Sequence, residues 1–328
     1  MRHFCTYFDS AYIWKGLALY ESLCRVSDDF CLHIMALDQK SYDFLKRLEN
    51  KSLTADLLSD IETEQLLRLK EERTRAEYCW TCGPVIILYL IEKYQLNDIT
   101  YLDSDLMFFS SYAPIYKEIG EDSVAITPQY SDHDEQVGKY CVQFMFFRND
   151  ADGIACLKWW RDECIKWCYA RYEDGKFGDQ KYLDSFPVLF QHVKIIQNRG
   201  AGIAPWNMHL YNYQDQQLVY QGIHYPIIFY HFHGLRMNIE ESNLVFQLFD
   251  CDSYNARFDT LFFRPYMHLV ADILKKHFQQ DITSFVVRKK GFLSKLYTKM
   301  KSLLRNIGII QKLYFKFHKH VSWENSKL

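Results

Sequence analysis

Two aspartates, Asp103 and Asp105, stand one residue apart directly after the apolar run Ile99–Leu102. That run has the length and the β-branched and aromatic residues of a buried strand. Acids at the carboxyl end of such a strand lie where open α/β sheets bind their ligands, and residues i and i+2 of an extended segment point the same way. The pair therefore predicts a site for a hard divalent cation that also holds substrate phosphates. The alternative is a solvated turn that contains two acids. The second apolar run, Leu106–Phe109, argues against this alternative.

A second polar group, His231-Phe-His233-Gly234, ends the predicted strand Ile227–Phe232. This is the same kind of position as that of the two aspartates. An imidazole as third ligand would shift the preference of the site from magnesium towards manganese. The glycine would let a ligand approach the backbone closely. The alternative is an ordinary structural histidine.

Alternating strands and helices near the N-terminus must position these groups. Strands are predicted at 3–8, 30–37 and near 53–58, with helices at 13–26 and 41–49 between them. This β-α-β-α-β order is typical of a parallel sheet with helices on its faces. The remaining predicted elements are helices at 60–75, 82–94, 112–119, 150–172 and 258–278, strands at 124–128, 140–148 and 227–232, and loops at 129–138 and 200–207.

The charge of the chain is unevenly distributed. The 328 residues are 48% hydrophobic and 24% charged, an ordinary globular composition, and the net charge is −2. Residues 284–328, however, hold 11 lysines and arginines against one acid, so this segment carries +10 and residues 1–283 carry −12. We therefore predict one compact domain over 1–283 and a basic tail over 284–328 with its own partner.

The tail has the pattern of basic amphipathic helices. Apolar residues recur at three- and four-residue steps from Phe292 to Phe317, with lysines on the remaining faces. Helices of this kind lie on anionic membrane surfaces, so we predict peripheral association with the inner face of a membrane. The alternatives are a helix packed on the domain and a nucleic-acid patch. No nucleic-acid partner is expected, because the body is acidic and no recognition motif occurs.

Ten cysteines raise the question of the redox compartment. The N-terminal residues enter a predicted strand without a preceding apolar signal segment, and no apolar run approaches the ~20 residues of a membrane-spanning helix. We therefore expect a cytoplasmic chain with reduced cysteines. Cys79-Trp-Thr-Cys82 is a C-x-x-C, but no Cys/His pair at zinc-finger spacing accompanies it, so the cysteines are expected to be small buried hydrophobes.

Five stretches, in order along residues 4–234, resemble metal-dependent nucleotide-sugar glycosyltransferases of the GT-A fold. The nearest family is glycosyltransferase family 8, which includes the glycogenins and bacterial lipopolysaccharide glycosyltransferases. The matching stretches are Phe4–Tyr12 with Lys15–Leu19 (nucleotide-binding strand and helix), Tyr101–Asp105 (the D-x-D signature), Phe177–Gln180, Ala204–Asn207 and His231–Gly234 (H-x-x-G). The resemblance implies an α/β chain with a Rossmann-like, mostly parallel sheet, helices on both of its faces, and hexosyltransferase activity.

The resemblance also implies roles for the residues at the matching positions. Asp103, Asp105 and His231 would hold Mn²⁺ or Mg²⁺ on the diphosphate of the donor, which is expected to be a UDP-hexose. Asp105 and His231 would be the firmest ligands, and Asp103 would bridge the metal and the ribose. Asp9 and Tyr12 would contact the uracil base or the ribose, with the Tyr12 ring as a stacking face.

The catalytic side of the site would be formed by Asp179 and Gln180, facing the anomeric carbon and the hydroxyls of the donor sugar. His233 is not at the ligand position of the H-x-x-G match and is given at most a supporting role. The family is retaining, so retention of anomeric configuration is implied. Because Gln180 is a weak nucleophile, we favour front-face attack in which the departing phosphate helps to take the proton of a glycan or lipid-linked acceptor.

The chain departs from the family pattern at several positions. Cys141-Val-Gln143 stands where relatives commonly have Asn-x-Gly. The lysine that follows H-x-x-G in many relatives is absent, with Arg236 the nearest candidate, and Arg73 or Arg75 would substitute for another expected arginine. These departures leave the donor sugar open.

Two functions are alternatives to a glycosyltransferase. The first is another metal-dependent phosphate-ester enzyme, such as a haloacid-dehalogenase-type phosphatase, whose acidic pair would follow the first strand and continue to Thr. Here the pair lies a third of the way along the chain and continues to Leu-Met. The second is a non-catalytic binding or scaffold protein that keeps the fold without turnover.

Overall fold

A computed structural model describes residues 1–215, 217–240, 243–249, 258–278 and 321–325. Its strands are, in chain order, β1 (Arg2–Phe8), β2 (Phe30–Ala36), β3 (Leu53–Leu57), β4 (Asp98–Leu102), β5 (Leu106–Phe108), β6 (Val124–Pro128), β7 (Tyr140–Arg148), β8 (Val193–Ile195), β9 (Asn212–Gln214), β10 (Gln217–Tyr220), β11 (Ile223–Pro226), β12 (Phe229–His231), β13 (Leu235–Glu240), β14 (Asn243–Leu248) and β15 (Val321–Asn325).

Helices separate most of the strands in the first half of the chain. The α-helices are α1 (Ile13–Val26), α2 (Gln39–Lys46), α3 (Glu64–Glu72), α4 (Arg75–Tyr94), α5 (Ala113–Ile119), α6 (Asp134–Val137), α7 (Ala151–Lys166), α8 (Phe186–Leu189) and α9 (Arg264–His277). Short 3₁₀ turns occur at Leu58–Asp60, Gln180–Ser185 and Met208–Leu210, and a π-helical turn at Asp259–Phe263 leads into α9.

Seven strands form the central sheet, in the order β3-β2-β1-β4-β7-β6-β8. All of them run parallel except β7, which is antiparallel to both of its neighbours. The carboxyl ends of β1, β4, β6 and β8 therefore share one edge of the sheet with the amino end of β7. The predicted mostly parallel sheet is confirmed, and this edge is where such sheets bind ligands.

Helices cover both faces of the sheet, because alternate side chains of each strand point to opposite sides. On one face Cys5 and Phe147 belong to a core shared with α4 and α7, where the Phe147 ring stacks on Trp160 at 6.3 Å. On the other face the Phe4 ring meets the edge of Tyr116 on α5 at 6.4 Å. The Tyr116 hydroxyl lies 2.5 Å from the hydroxyl of Thr100 on the neighbouring strand.

Two predicted helices have different ends in the structure. The helix predicted at 82–94 begins earlier, at Arg75, because Thr74 and Glu77 form a capping box that satisfies the first free amides. The helix predicted at 150–172 ends at Lys166, where Trp167 takes up extended backbone. The acidic and basic segment predicted as a solvated helix at 60–75 is the shorter, mostly exposed α3.

Arg73 binds the carboxyl-terminal end of α7. This side chain is 5% exposed and donates hydrogen bonds to the carbonyls of Cys164 (2.8 Å) and Ile165 (2.7 Å) in the last turn of α7, and to the hydroxyl of Thr81 on α4. Helix-terminal carbonyls have no partner inside their own helix, so a buried guanidinium satisfies them. Arg73, named above as a possible substitute for an arginine of the family, therefore joins α4 to the end of α7.

The chain divides into two compact units, Met1–His231 and Phe232–Leu328. In the second unit β13, β14 and β15 form an antiparallel sheet, and the Phe232 ring stacks on Tyr266 of α9 at 3.8 Å. The predicted domain boundary at 283/284 and the predicted tail helices lie outside the described residues and stay predictions, whereas residues 321–325 of the tail form strand β15. Within the described part of the chain, the helices are all too short or too polar to cross a membrane.

We expect Arg73→Leu to lower the free energy of unfolding by about 2–4 kcal/mol, because two buried helix-terminal carbonyls lose their donor. The control is Arg68→Leu on α3, whose exposed side chain pairs with Glu64 and whose loss should change stability by less than about 0.5 kcal/mol. Urea denaturation measures both. Equal losses in the two variants would contradict the role of Arg73.

Candidate active site

The two aspartates lie in the tight turn between β4 and β5. The amide of Asp103 donates to the carbonyl of Gln143 on β7 (3.0 Å), and the amide of Leu106 donates to the carbonyl of Asp103 (3.2 Å). Strand β5 then pairs antiparallel with β12, with Leu106 opposite His231. This two-stranded ladder brings the histidine beside residues that precede it by more than a hundred positions.

Asp103, Asp105 and His231 form one cluster. The Nε2 atom of His231 lies 3.0 Å from Oδ1 of Asp105 and 3.6 Å from Oδ2 of Asp103. One ligand atom from each residue lies within 4.8 Å of the other two. The His231 side chain is 5% exposed and the carboxylates are partly exposed, at 21% and 14% for Asp103 and Asp105. The sequence-predicted trio is thus brought together, with access to it from the carboxylate side.

Two further residues hold the carboxylates; both lie in stretches that resemble the family, but the sequence assigned neither of them a role. The Nζ atom of Lys15, itself 4% exposed, donates to Oδ2 of Asp105 at 3.1 Å. The hydroxyl of Tyr101 donates to Oδ1 of Asp103 at 2.7 Å, and its ring stacks on Tyr7 at 5.4 Å. Tyr101 was detectable in principle, because residues two apart on a strand face the same side.

The electrostatics of the cluster follow from its burial. Burial alone would lower the pKa of His231, but the carboxylate of Asp105 beside it raises that pKa to about 10. Burial also raises the pKa of Asp103, against the attraction of His231, and the like charge of Asp105 raises it further. Without a bound metal ion, the imidazolium and the Lys15 ammonium together compensate the carboxylates. A contact with Cys141, in the stretch that departs from Asn-x-Gly, raises the pKa of His231 as well.

The donor set fits a divalent cation. Two carboxylates and one imidazole, held by Lys15 and Tyr101, are ligand types that Mn²⁺ and Mg²⁺ accept, and the imidazole favours Mn²⁺. Ligation requires neutral imidazole, so a cation would replace the proton of His231. Metal binding at this cluster should therefore weaken as the pH falls.

Asp9 and Tyr12 lie at the exit of β1, at the same edge of the sheet. Oδ1 of Asp9 accepts the amides of Ala11 (2.8 Å) and Tyr12 (3.1 Å), while its carboxylate forms an ion pair with Arg75. The Tyr12 ring is 39% exposed and lies 4.7 Å from Nζ of Lys15. Tyr12 and Lys15 thus connect the predicted nucleotide pocket to the carboxylate cluster, and Arg75 is placed at this pocket.

Asp179 is buried, and Gln180 is engaged by a neighbouring loop. Burial, and next the charge of Asp103, raise the pKa of Asp179 to about 8. The side-chain amide of Gln180 donates to Oε1 of Gln129 (2.5 Å) and to the carbonyl of Val137 (3.1 Å). The acid is therefore electrostatically coupled to the cluster, whereas the Gln180 nitrogen is bonded to the 129–137 loop. The catalytic roles of both residues stay predictions.

The loop at 200–207 closes around Gln129. The carbonyl of Gln129 accepts from Nε1 of Trp206 (2.9 Å) and from Nδ2 of Asn207 (3.1 Å). The Trp206 ring meets His231 edge-on at 5.4 Å. Gly202 has a φ of +94°, and a Cβ there would lie 2.8 Å from the buried amide of Gln143. This loop thus orients His231 and could not be placed from sequence spacing.

His233 and Arg236 follow His231 in the chain and belong to the second compact unit. His233 is solvent-exposed. The guanidinium of Arg236 lies over the ring of Phe249 at 4.4 Å. Gly234 has a φ of +72°, and a Cβ there would come 2.3 Å from the carbonyl oxygen of Phe249, so glycine is required at this position.

The chain is similar in sequence to two bacterial proteins. No family model matches it. It is 31% identical over 308 residues to the uncharacterized protein YfnF of Bacillus subtilis (strain 168), covering 89% of this chain and 97% of that protein. It is 29% identical over 303 residues to the uncharacterized protein YfnD of the same organism, covering 89% and 95%.

The architecture is similar to that of a solved glycosyltransferase structure. The apo-form crystal structure of the glycosyltransferase GlyE from Streptococcus pneumoniae TIGR4 matches with a TM-score of 0.50 at 14% identity, over 86% of this chain and 64% of that one. At this identity the match is one of fold. It confirms the predicted GT-A fold.

We expect Asp179→Asn to make the chain more stable at alkaline pH and to leave it nearly unchanged near pH 4. The folded pKa of about 8 exceeds the unfolded value of about 4, so burial of this acid reduces stability progressively as the pH rises between those values. The gain should reach a few kcal/mol at pH 8, measured by urea denaturation in EDTA. The exposed Asp162→Asn should show no such trend, and a gain that does not vary with pH would contradict the assignment.

Proposed function

We propose that this chain, which belongs to the same family as the uncharacterized protein YfnF of Bacillus subtilis (strain 168), is a metal-dependent glycosyltransferase. It would move a hexose from a nucleotide sugar, expected to be a UDP-hexose, to a glycan or lipid-linked acceptor. The observation that carries the proposal is the Asp103–Asp105–His231 cluster at the carboxyl edge of the sheet. The fold shared with GlyE, which is named a glycosyltransferase, supports the class of reaction.

The cluster is the proposed site of the donor diphosphate. Asp103, Asp105 and His231 would hold Mn²⁺ or Mg²⁺, which supplies Lewis-acid neutralisation of the leaving diphosphate when bound. Lys15 occupies the second oxygen of Asp105 and so fixes the orientation of that carboxylate. Tyr101 does the same for Asp103. A carboxylate with one oxygen already fixed loses little freedom when its other oxygen binds a ligand.

The nucleoside end of the donor is assigned to the β1 exit. Asp9, ordered by two backbone amides and Arg75, would accept hydrogen bonds from the uracil or ribose. The exposed ring of Tyr12 offers a stacking face for the base. The Tyr12 ring lies 4.7 Å from Nζ of Lys15, which also bonds to Asp105, so this pocket adjoins the carboxylates that would hold the diphosphate.

The sugar end is assigned to Asp179 and Gln180. The raised pKa of Asp179 leaves much of this acid protonated at neutral pH, which makes it a poor nucleophile before donor binds. The Gln180 amide is a weaker one. We therefore favour transfer with retention, in which the acceptor oxygen attacks the anomeric carbon on the face that the diphosphate leaves, and a phosphate oxygen takes the acceptor proton.

The remaining parts of the proposal rest on the sequence. Residues 1–283 would form the catalytic domain, and the basic segment 284–328 would hold the enzyme on the anionic cytoplasmic face of a membrane, where a lipid-linked or lipopolysaccharide-like acceptor is made. Release from anionic liposomes of a variant with Lys289, Lys290, Lys295 and Lys299 changed to Glu tests that part separately, because this variant keeps strand β15.

Donor turnover tests the function. We expect the full chain with Mn²⁺ to release UDP from at least one member of a panel of UDP-hexoses, and Asp105→Asn to reduce this release at least about a hundredfold, because an anionic metal ligand is lost. The control is Asp98→Asn, an acid at the far end of β4 that pairs with Arg2 and should retain activity. Undiminished turnover of wild type in EDTA, or of Asp105→Asn with Mn²⁺, would refute the metal assignment.

A further inference from the structure

A cavity separate from the cluster lies along the same edge of the sheet. Its volume is about 440 Å³, and its wall includes Pro128 at the carboxyl end of β6, Ile195 at the carboxyl end of β8 and Tyr140 at the amino end of β7. Cavities of this size hold one or two sugar rings. Strands β6 and β8 are two and three positions from β4 in the sheet, which puts the cavity about 10–15 Å from the aspartates.

The cavity is connected to the catalytic side of the proposed site through hydrogen bonds. Gln180, which follows the buried Asp179, bonds to Gln129 and Val137 at the two ends of the loop that forms one wall. The next residue, Lys181, lines the cavity itself. An acceptor seated here would therefore approach from the side of Asp179 and Gln180 rather than from the nucleotide pocket.

Arg199 is the distinctive residue of the cavity. Its guanidinium is held between two tyrosine rings, 3.5 Å from the centroid of Tyr130 and 4.1 Å from that of Tyr220. No carboxylate of the described residues lies within ion-pair distance of it. Tyr130 adopts a φ of +51°, a costly conformation for a bulky residue, and its ring faces the guanidinium. A stacked, planar donor fork without an acidic partner is suited to a carboxylate or phosphate.

Two other charged groups of the cavity, Lys181 and Asp134, are already engaged by neighbouring protein groups. Lys181 donates to Asp184 (2.9 Å) and to the carbonyls of Asp134 and Glu135. Oδ1 of Asp134 accepts the amide of Ser131 at 3.1 Å. The three cations of the lining, Lys139, Lys181 and Arg199, outnumber its two acids. The lining is therefore biased towards an anion, with Arg199 as the group best placed to bind it.

We propose that this cavity is the acceptor subsite of the enzyme and that Arg199 recognises an oxyanion, a carboxylate or a phosphate, on the acceptor sugar. The term acceptor rests on the proposed transferase function, whereas the binding of anionic sugars does not. Tyr130 and Tyr140 provide the apolar ring faces that carbohydrate binding commonly uses, and Arg199 provides the specificity. Neutral sugars are then expected to bind only weakly.

Binding can be measured without donor or metal, which separates this inference from the transferase proposal. The probes are glucuronic acid, glucose 6-phosphate and glucose, titrated into the full chain in EDTA and followed by ligand-observed NMR. We expect one or both anionic sugars to bind at least about tenfold more tightly than glucose, and Arg199→Leu to remove that preference. A preference confined to glucuronic acid identifies a carboxylate, and one confined to glucose 6-phosphate a phosphate.

Two further variants keep the test decisive. Arg171→Leu is the matched control, because Arg171 also lies on aromatic rings, those of Trp167 and Tyr169, but is paired with Glu173. It should bind all three sugars like wild type. Arg199→Lys keeps the charge but loses the planar fork, so it should retain only part of the preference even if Arg199→Leu folds poorly. Equal binding of all three sugars by wild type, or an unchanged preference in Arg199→Lys and Arg199→Leu, would overturn the proposal.

Discussion

Two carboxylates share one turn at the edge of this sheet, and the surrounding structure compensates them. Like charges this close cannot both stay ionised in a partly buried place unless cations or hydrogen-bond donors neutralise them. Lys15 donates to Asp105, Tyr101 donates to Asp103, and His231 lies against both. The raised pKa of His231 is the signature of this arrangement. Lys15 and His231 come from parts of the chain far from the two aspartates, so the cluster exists only in the folded protein.

That requirement places demands on the elements that deliver the three groups. Helix α1 packs closely on β1 at Gly16, where a Cβ would overlap the ring of Phe8. This close approach lets Lys15 reach the carboxylate of Asp105. The histidine arrives on β12, whose pairing with β5 sets its register against Leu106. Trp206 then meets the edge of the imidazole, from a loop fastened to Gln129. Packing, pairing and hydrogen bonding thus converge on one site, and this supports a catalytic role over a scaffold that merely keeps the fold.

The sequence predicted much of this organisation wherever the signal was local. The strand that ends at Asp103, the β-α-β order around it and the position of His231 after an apolar run all follow from residue pattern, and the structure brings Asp103, Asp105 and His231 together. The contact of Lys15 with Asp105 was not predicted, because a lysine in an amphipathic helix is indistinguishable from a solvated one until the helix is docked. The β5–β12 ladder joins segments far apart in sequence, which no periodicity encodes. The carbonyls at the early end of α7 accept hydrogen bonds from Arg73, which precedes Cys164 by 91 positions and Ile165 by 92.

The central claim is that the carboxylate cluster binds the donor through a divalent cation. The most direct measurement is calorimetric titration of UDP into the full chain, with Mn²⁺ and then with EDTA, in wild type and in His231→Gln. We expect UDP to bind wild type with Mn²⁺, binding to be lost in EDTA, and His231→Gln to bind at least about tenfold more weakly. The same UDP affinity in EDTA as in Mn²⁺ would contradict this claim.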